Sequence, residues 1–215
     1  MTVLPVQVLV LAKQPVAGRV KTRLCPPLSP RQAADVAAAA IADTLDAVRA
    51  TPVAVRVLVI DGDLSADGFV AVPQVGGPLD VRLSAAFDDA AARGLPALLV
   101  GMDTPQLTPA LLAAACRALL RDDVDATLGR AQDGGWWALG LRRPDGALVR
   151  GIPTSRDDTG QLQADRLHTR GLRVHELPVL RDVDTVVDAR AVAALAPTGR
   201  FASTLRGLLE RQPTG

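Results

Sequence analysis

The chain carries 22 arginines but only two lysines, and both lysines fall in one stretch, Leu11-Ala12-Lys13-Gln14-Pro15-Val16-Ala17-Gly18-Arg19-Val20-Lys21-Thr22-Arg23-Leu24. Lysine offers a compact, strongly hydrated point charge where arginine offers a planar fork, so its retention in one loop marks a local electrostatic task. Lys13, Arg19, Lys21 and Arg23 place four positive charges within eleven residues, around a Gly18 that lets backbone amides come close to a ligand. Polyphosphate is the natural partner of such a loop. A solvated basic loop would carry the same residues; position separates the two readings. The loop leaves the carboxyl end of Val6-Gln7-Val8-Leu9-Val10-Leu11, an apolar run that reads as a buried strand, and open α/β sheets bind ligands at that end. Spacing excludes a P-loop, because Lys21-Thr22 lacks the first glycine of G-x-x-x-x-G-K-[ST].

Carboxylates that could steady a divalent ion stand in two further places. Gly101-Met102-Asp103-Thr104-Pro105 follows the apolar run Ala97-Leu98-Leu99-Val100. Mg²⁺ or Mn²⁺ binds phosphate oxygens together with one or two protein carboxylates and relieves the repulsion that a nucleophile meets. Asp103 is therefore expected as a metal ligand, although an Asp before Thr-Pro also starts turns. The second place is Asp182-Val183-Asp184-Thr185, followed by Asp188. The two aspartates are assigned to opposite sides of an extended segment, which leaves Asp184 to face the site and the other acid, or Thr185, to cap the next helix. Asp133-Gly134-Gly135-Trp136-Trp137 forms a third group, small residues beside two adjacent aromatics in a chain with no tyrosine. One tryptophan is expected in the core and the other in a pocket or on a partner surface, so Asp133, Gly134, Gly135 and Trp136 are assigned to a small-molecule acceptor. A plain tight hairpin with one buried tryptophan fits the same residues.

The elements that must position these residues alternate between strand and helix, the pattern of a mostly parallel sheet covered on both faces. Ser29-Pro30-Arg31-Gln32 reads as a capping box with proline at the first helical position, and Val36, Ala37, Ala40, Ile41, Leu45 and Val48 continue it as an apolar stripe. Strands are expected over 53–60, 69–75, 96–100, 124–128, 136–141 and 172–177. Helices are expected around 79–90, 108–120, 159–170, 185–195 and 203–211.

At 215 residues and 48% hydrophobic content the chain can build one sizeable core, read as a single domain over 1–215. A net charge of +1, with no long basic run and few aromatics, gives no reason to expect nucleic acid. No apolar run is long enough for a membrane span and no leader pattern opens the chain, so the expectation is a cytoplasmic protein. Cys25 and Cys116 are too few for a disulfide framework or a cysteine zinc site, and Cys116 reads as a core residue. His168 and His175 lack metal-ligand spacing.

Taken together and in order, the motifs resemble a bacterial family, the arsenosugar-biosynthesis or radical-SAM/selenodomain-associated glycosyltransferases. The resemblance spans Ala12-Lys13-Gln14-Pro15 through Leu24, Gly101 through Leu107, Asp133 through Leu141, and Asp182-Val183-Asp184-Thr185. More distantly the chain is similar to the 2-phospholactate and molybdenum-cofactor guanylyltransferases. The resemblance implies a GT-A-like nucleotide-diphospho-sugar transferase fold, a three-layer α/β/α sandwich, and a Mg²⁺- or Mn²⁺-assisted reaction at a nucleoside di- or triphosphate or a nucleotide-sugar. It also implies that Gly18, Lys21 and Arg23 meet phosphate, that the backbone around Leu11, Ala12 and Lys13 meets the nucleoside, and that Asp103 and Asp184 hold the metal; Arg19 is added to the nucleotide contacts from the charge of the loop itself. Relatives commonly show Gly-Asp-Leu-Gly before an arginine where this chain has Gly77-Pro78-Leu79-Asp80, while Arg82 is retained as a nucleotide contact. Glycosyl transfer to a small-molecule acceptor is the expected reaction. Nucleotidyl transfer with pyrophosphate release, and nucleotide binding without catalysis, are the alternatives.

Overall fold

Strand β1 (Leu4–Lys13) explains why the sheet is covered on both faces. Val6, Val8, Val10 and Ala12 pack to one side with Ile41, Leu45 and Leu112, whereas Leu9 and Leu11 pack to the other with Leu83 and Phe87. Apolar residues on both sides of a strand are the mark of a sheet interior that helices enclose.

The computed structural model describes residues 2–211. Around β1 it arranges β2 (Val53–Asp61), β3 (Val70–Pro73), β4 (Ala97–Gly101), β5 (Ala126–Ala131), β6 (Trp136–Leu141) and β7 (Val174–Leu180) in the order β3-β2-β1-β4-β6-β5-β7. Only β6 runs against its neighbours β4 and β5, so the sheet is mixed but mostly parallel. α1 (Pro30–Ala50) and α3 (Pro109–Leu119) cover one face, and α2 (Leu79–Ala91) and α4 (Thr159–Thr169) the other. α5 (Val186–Leu195) and α6 (Arg200–Glu210) pack outside α1, where Phe201, Leu205 and Val192 meet Val36 and Ala40. The three-layer α/β/α arrangement expected from the alternation is present.

Local chemistry sets the element ends. Ser29 Oγ accepts from Gln32 N at 3.3 Å and Gln32 Oε1 from Ser29 N at 2.8 Å, the reciprocal capping box that starts α1. Thr185 and Asp188 do the same for α5, and the Thr108 hydroxyl caps α3. β5 and β7 each run three residues further at the carboxyl end than their patterns suggest, past 128 and 177 to Ala131 and Leu180. β7 continues through Pro178 because it is an edge strand, where a missing N–H costs no ladder bond. β5 continues through Gly129 because the Trp137 ring lies over that residue, where a Cβ would come within 2.4 Å of it. Cys116 lies fully buried in α3, and burial pushes its thiol up to about 12. His168 is exposed and His175 half-buried on β7. Among the described residues no helix is long and apolar enough to cross a membrane.

Candidate functional site

A cleft of about 680 Å³ opens beyond the carboxyl ends of β1 and β4, and Lys21 lines it. Buried neighbours hold this residue from both sides: Val20 belongs to the sheet core, and Leu24 packs with α1, α5 and α6. Lys21 takes a left-handed backbone conformation (φ 48) at the entry to a single 3-10 turn, Thr22–Leu24. That conformation costs on the order of 1 kcal/mol for a residue with a Cβ, and the contacts of the side chain offset it. Lys21 Nζ stands 2.7 Å from Asp103 Oδ1 and 3.6 Å from Asp184 Oδ1, and it donates to the carbonyl of Val183. With the side chain only 8% exposed, the ammonium has exchanged water for two carboxylates and a carbonyl.

Val183 ties the three segments together. Its side chain is buried, its N–H donates to Asp103 O at 2.9 Å, and its carbonyl accepts from Lys21. Residues 21, 103 and 184 are thus fixed by backbone as well as by charge. Arg23 Nη1 reaches Asp184 Oδ2 at 3.2 Å from the solvent side.

Asp182 and Asp184 both line the cleft, which corrects the assignment of the two to opposite sides. The pleat repeats every two residues, so positions two apart on extended backbone share a face. Asp133, exposed in the turn between β5 and β6, joins them: carboxylate oxygens of Asp133, Asp182 and Asp184 lie within 4.8 Å of one another. Burial, and then the charge of Asp133, raise the Asp182 carboxyl to about 6. Three converging oxygen-donor groups, of which Asp184 alone is paired with Lys21 and Arg23, fit a hard divalent cation such as Mg²⁺ or Mn²⁺. Asp103 stands beside this set, with one oxygen engaged by Lys21.

The other expected residues divide between the cleft and its supports. Leu11, Ala12, Lys13 and Arg19 line it, as does Arg23. Gly18 is exposed with φ 76 and stands outside the lining. Arg82 lines the cleft but is held by the protein: it donates to Asp61 Oδ2 at 2.8 Å, Gln74 Oε1 at 3.3 Å and Gly77 O at 2.9 Å. Gln74 in turn donates to Ala12 O at 2.7 Å and Val59 O at 3.1 Å, so Arg82 braces the floor near the end of β1. Asp80, at the altered loop, accepts from Gly151 N at 2.8 Å and so links α2 to the segment before α4.

Asp133, Gly135 and Trp136 face the cleft, and Gly134 stands behind them. A Cβ at Gly134 (φ 91) would fall 1.8 Å from Asp157 O, which is why the turn needs glycine there. Trp136 is half-buried, whereas Trp137 is 3% exposed with its indole N–H on Pro178 O at 2.9 Å; it has no free surface to offer a partner. The sequence reading missed Gln74 and the run Thr154-Ser155-Arg156-Asp157, all of which line the cleft. This run has no periodicity. Its one local signal is a string of polar residues after Pro153, and Ser155 adopts φ 60, a left-handed conformation unusual outside glycine.

Solved structures that resemble the chain include the following three. A protein of Desulfovibrio desulfuricans G20, provisionally named a nucleotide-diphospho-sugar transferase, is 26% identical, with 96% of this chain and 95% of that chain covered at a TM-score of 0.86. Rv0371c of Mycobacterium tuberculosis H37Rv, in complex with manganese, is 22% identical over 87% of this chain and 97% of that one, at a TM-score of 0.56. The 2-C-methyl-D-erythritol 4-phosphate cytidylyltransferase of Thermus thermophilus is 17% identical over 89% and 98%, at 0.51. The last two share the fold. No curated protein matches the chain. The family model that matches covers residues 44–156, more than half of the sequence, and the chain belongs to the family described as "Uncharacterized protein conserved in bacteria (DUF2064)".

Proposed function

We propose that this protein, acting as one GT-A-like domain over 1–215, is a metal-dependent glycosyltransferase that uses a nucleotide-diphospho-sugar and a small-molecule acceptor. The observation that carries the reading is the meeting of Lys21, Asp103 and Asp184 in one cleft beside the Asp133, Asp182 and Asp184 oxygens. The likeness to the Desulfovibrio protein supports it at the level of the whole chain. So does the narrower resemblance to the arsenosugar-biosynthesis and radical-SAM/selenodomain-associated glycosyltransferases.

In this reading Leu11 and Ala12 form the floor under the nucleoside, and Lys13, Arg19 and Arg23 attract the diphosphate from the rim. Lys21 faces the leaving phosphate oxygens with a charge already withdrawn from water, so little reorganisation accompanies departure of the diphosphate. Asp184, with Asp103 or with Asp133 and Asp182, would hold Mg²⁺ or Mn²⁺, which supplies charge neutralisation to the diphosphate when bound. The remaining contribution is positioning of donor against acceptor.

Nucleotidyl transfer is the second reading, favoured by the same cationic rim, which could seat a triphosphate. Calorimetry of the purified protein with Mn²⁺ and a panel of nucleotide-sugars and NTPs tests both. Binding of at least one nucleotide-sugar, lost in Asp184→Ala, is expected; binding of NTPs alone would select the second reading, and binding of neither would remove both.

A further inference from the structure

The cleft is electrically divided. Lys13, Arg19, Lys21, Arg23 and Arg82, five of its six lining cations, come from the loop after β1 and from α2; Lys21, Arg23 and Arg82 are paired with Asp103, Asp184 and Asp61, and Lys13 and Arg19 have no ion pair among the described residues. The opposite wall is built from Asp133, Gly135, Trp136 and the 154–157 run, and its one cation is Arg156. That guanidinium is already forked onto Asp158, Nε to Oδ1 at 2.8 Å and Nη2 to Oδ2 at 2.8 Å, so the pair adds no net charge to the wall. What remains is acidic: Asp133 and Asp157 are both exposed there. A divalent cation on Asp133, Asp182 and Asp184, with Lys21 and Arg23 already on Asp184, would offset those three carboxylates, and Asp157, which has no ion pair among the described residues, keeps the wall acidic.

The same wall offers groups that read hydroxyls. Carboxylates accept from O–H, the Ser155 and Thr154 hydroxyls both donate and accept, and the half-buried Trp136 ring gives an apolar surface for a C–H face. The wall is also held in place. Gly160 N donates to Gly134 O at 2.7 Å, and the Thr159 hydroxyl donates to Pro153 O at 3.0 Å. These bonds over-determine the left-handed Ser155 between them.

We infer that the far wall takes an uncharged, hydroxyl-rich acceptor, a sugar or polyol, and turns away acceptors that carry phosphate or carboxylate. The inference rests on the glycosyl-transfer reading and narrows it, because nucleotidyl transfer to a phosphorylated acceptor would need cations where this wall has acids. In the step, an acceptor hydroxyl oxygen bonds to the anomeric carbon while the bond from that carbon to the diphosphate oxygen breaks. The hydroxyl proton passes to a far-wall carboxylate, and the nucleoside diphosphate leaves with the electron pair of the broken bond.

The test begins with protein saturated with Mn²⁺ and a nucleotide-sugar shown to bind by calorimetry. Tryptophan fluorescence then follows titration with matched pairs, methyl glucoside against glucose 6-phosphate and glycerol against glycerol 3-phosphate, with Trp136→Phe identifying the responding ring. The expected result is a response to at least one neutral member, a phosphorylated counterpart weaker by about tenfold or more, and a gap that narrows in Asp157→Asn. A phosphorylated member that binds as well or better, an unchanged gap in Asp157→Asn, or no response to either class overturns the inference. Failure of every nucleotide-sugar in the first step instead removes the parent reading, so the two failures are told apart.

Discussion

Lys21 Nζ and Asp103 Oδ1 lie 2.7 Å apart, and the lysine side chain is nearly withdrawn from solvent. The pair joins a loop after β1 to the end of β4, and the same ammonium stands 3.6 Å from Asp184 Oδ1, so it is the counter-charge of both carboxylates. Lys21→Ala is expected to weaken Mn²⁺-dependent nucleotide-sugar binding by about 10–100-fold, the scale of one lost charged hydrogen bond. It should at the same time tighten binding of Mn²⁺ alone, because two carboxylates lose their resident counter-charge. Lys21→Arg should restore neither property, since a planar fork does not fit a slot shaped for an ammonium. Calorimetry with the nucleotide-sugar and paramagnetic titration with Mn²⁺ measure the two effects separately.

Asp182 gives a pH prediction for the metal-free protein. Its carboxyl is raised from 3.8 to about 6 in the fold, first by burial and then by Asp133. A raised folded value means the folded state holds the proton more tightly, so this contribution to stability is complete below about 3.8 and is lost as pH climbs through about 6. Asp182→Asn should therefore raise the melting temperature at pH 7.5 by roughly 2–4 °C, the shift that about 1 kcal/mol gives in a chain of this size. The gain should shrink toward pH 4, as thermal melts across that window in chelator would reveal.

Gly134 supports the wall without touching the cleft. Gly134→Ala pushes a Cβ into the backbone of Asp157 and removes a conformation that alanine rarely adopts, so a loss of about 2–4 kcal/mol is expected from denaturant unfolding. Donor binding at Lys21 should persist in the folded fraction, while the response to a neutral acceptor should fall, because only the far wall is displaced.

The two thiols should differ in reactivity. Cys116 is fully buried, with its thiol pushed up to about 12, and Cys25 is half-buried. A disulfide reagent at pH 8 should label Cys25 in the native protein and reach Cys116 only when the protein is unfolded. Mass spectrometry of the labelled peptides reads this directly.

Much of the framework was legible because it is written in local patterns. The Ser29 box, the stripe from Val36 to Val48 and the apolar run from Val6 to Leu11 each state their element within one or two turns of chain. β5 and β7 were cut short because Gly129 and Pro178 look like punctuation until tertiary context shows a ring over one and an open edge beside the other. The meeting of Lys21, Asp103 and Asp184 could be proposed from their places at strand ends, but Val183, the backbone link among them, has no signature in an apolar side chain. The Thr154-to-Asp157 run was invisible for another reason. Its role comes from docking against the Gly134 turn, a contact that no spacing in the sequence encodes.

The order of the Val183 linkage also sets a timetable for biosynthesis. Lys21 is made early, its first carboxylate partner near the middle of the chain, and the peptide unit that joins them only when Val183 emerges. A nascent chain that has not reached that residue carries the Lys21 loop and the end of β4 without the peptide unit that links them.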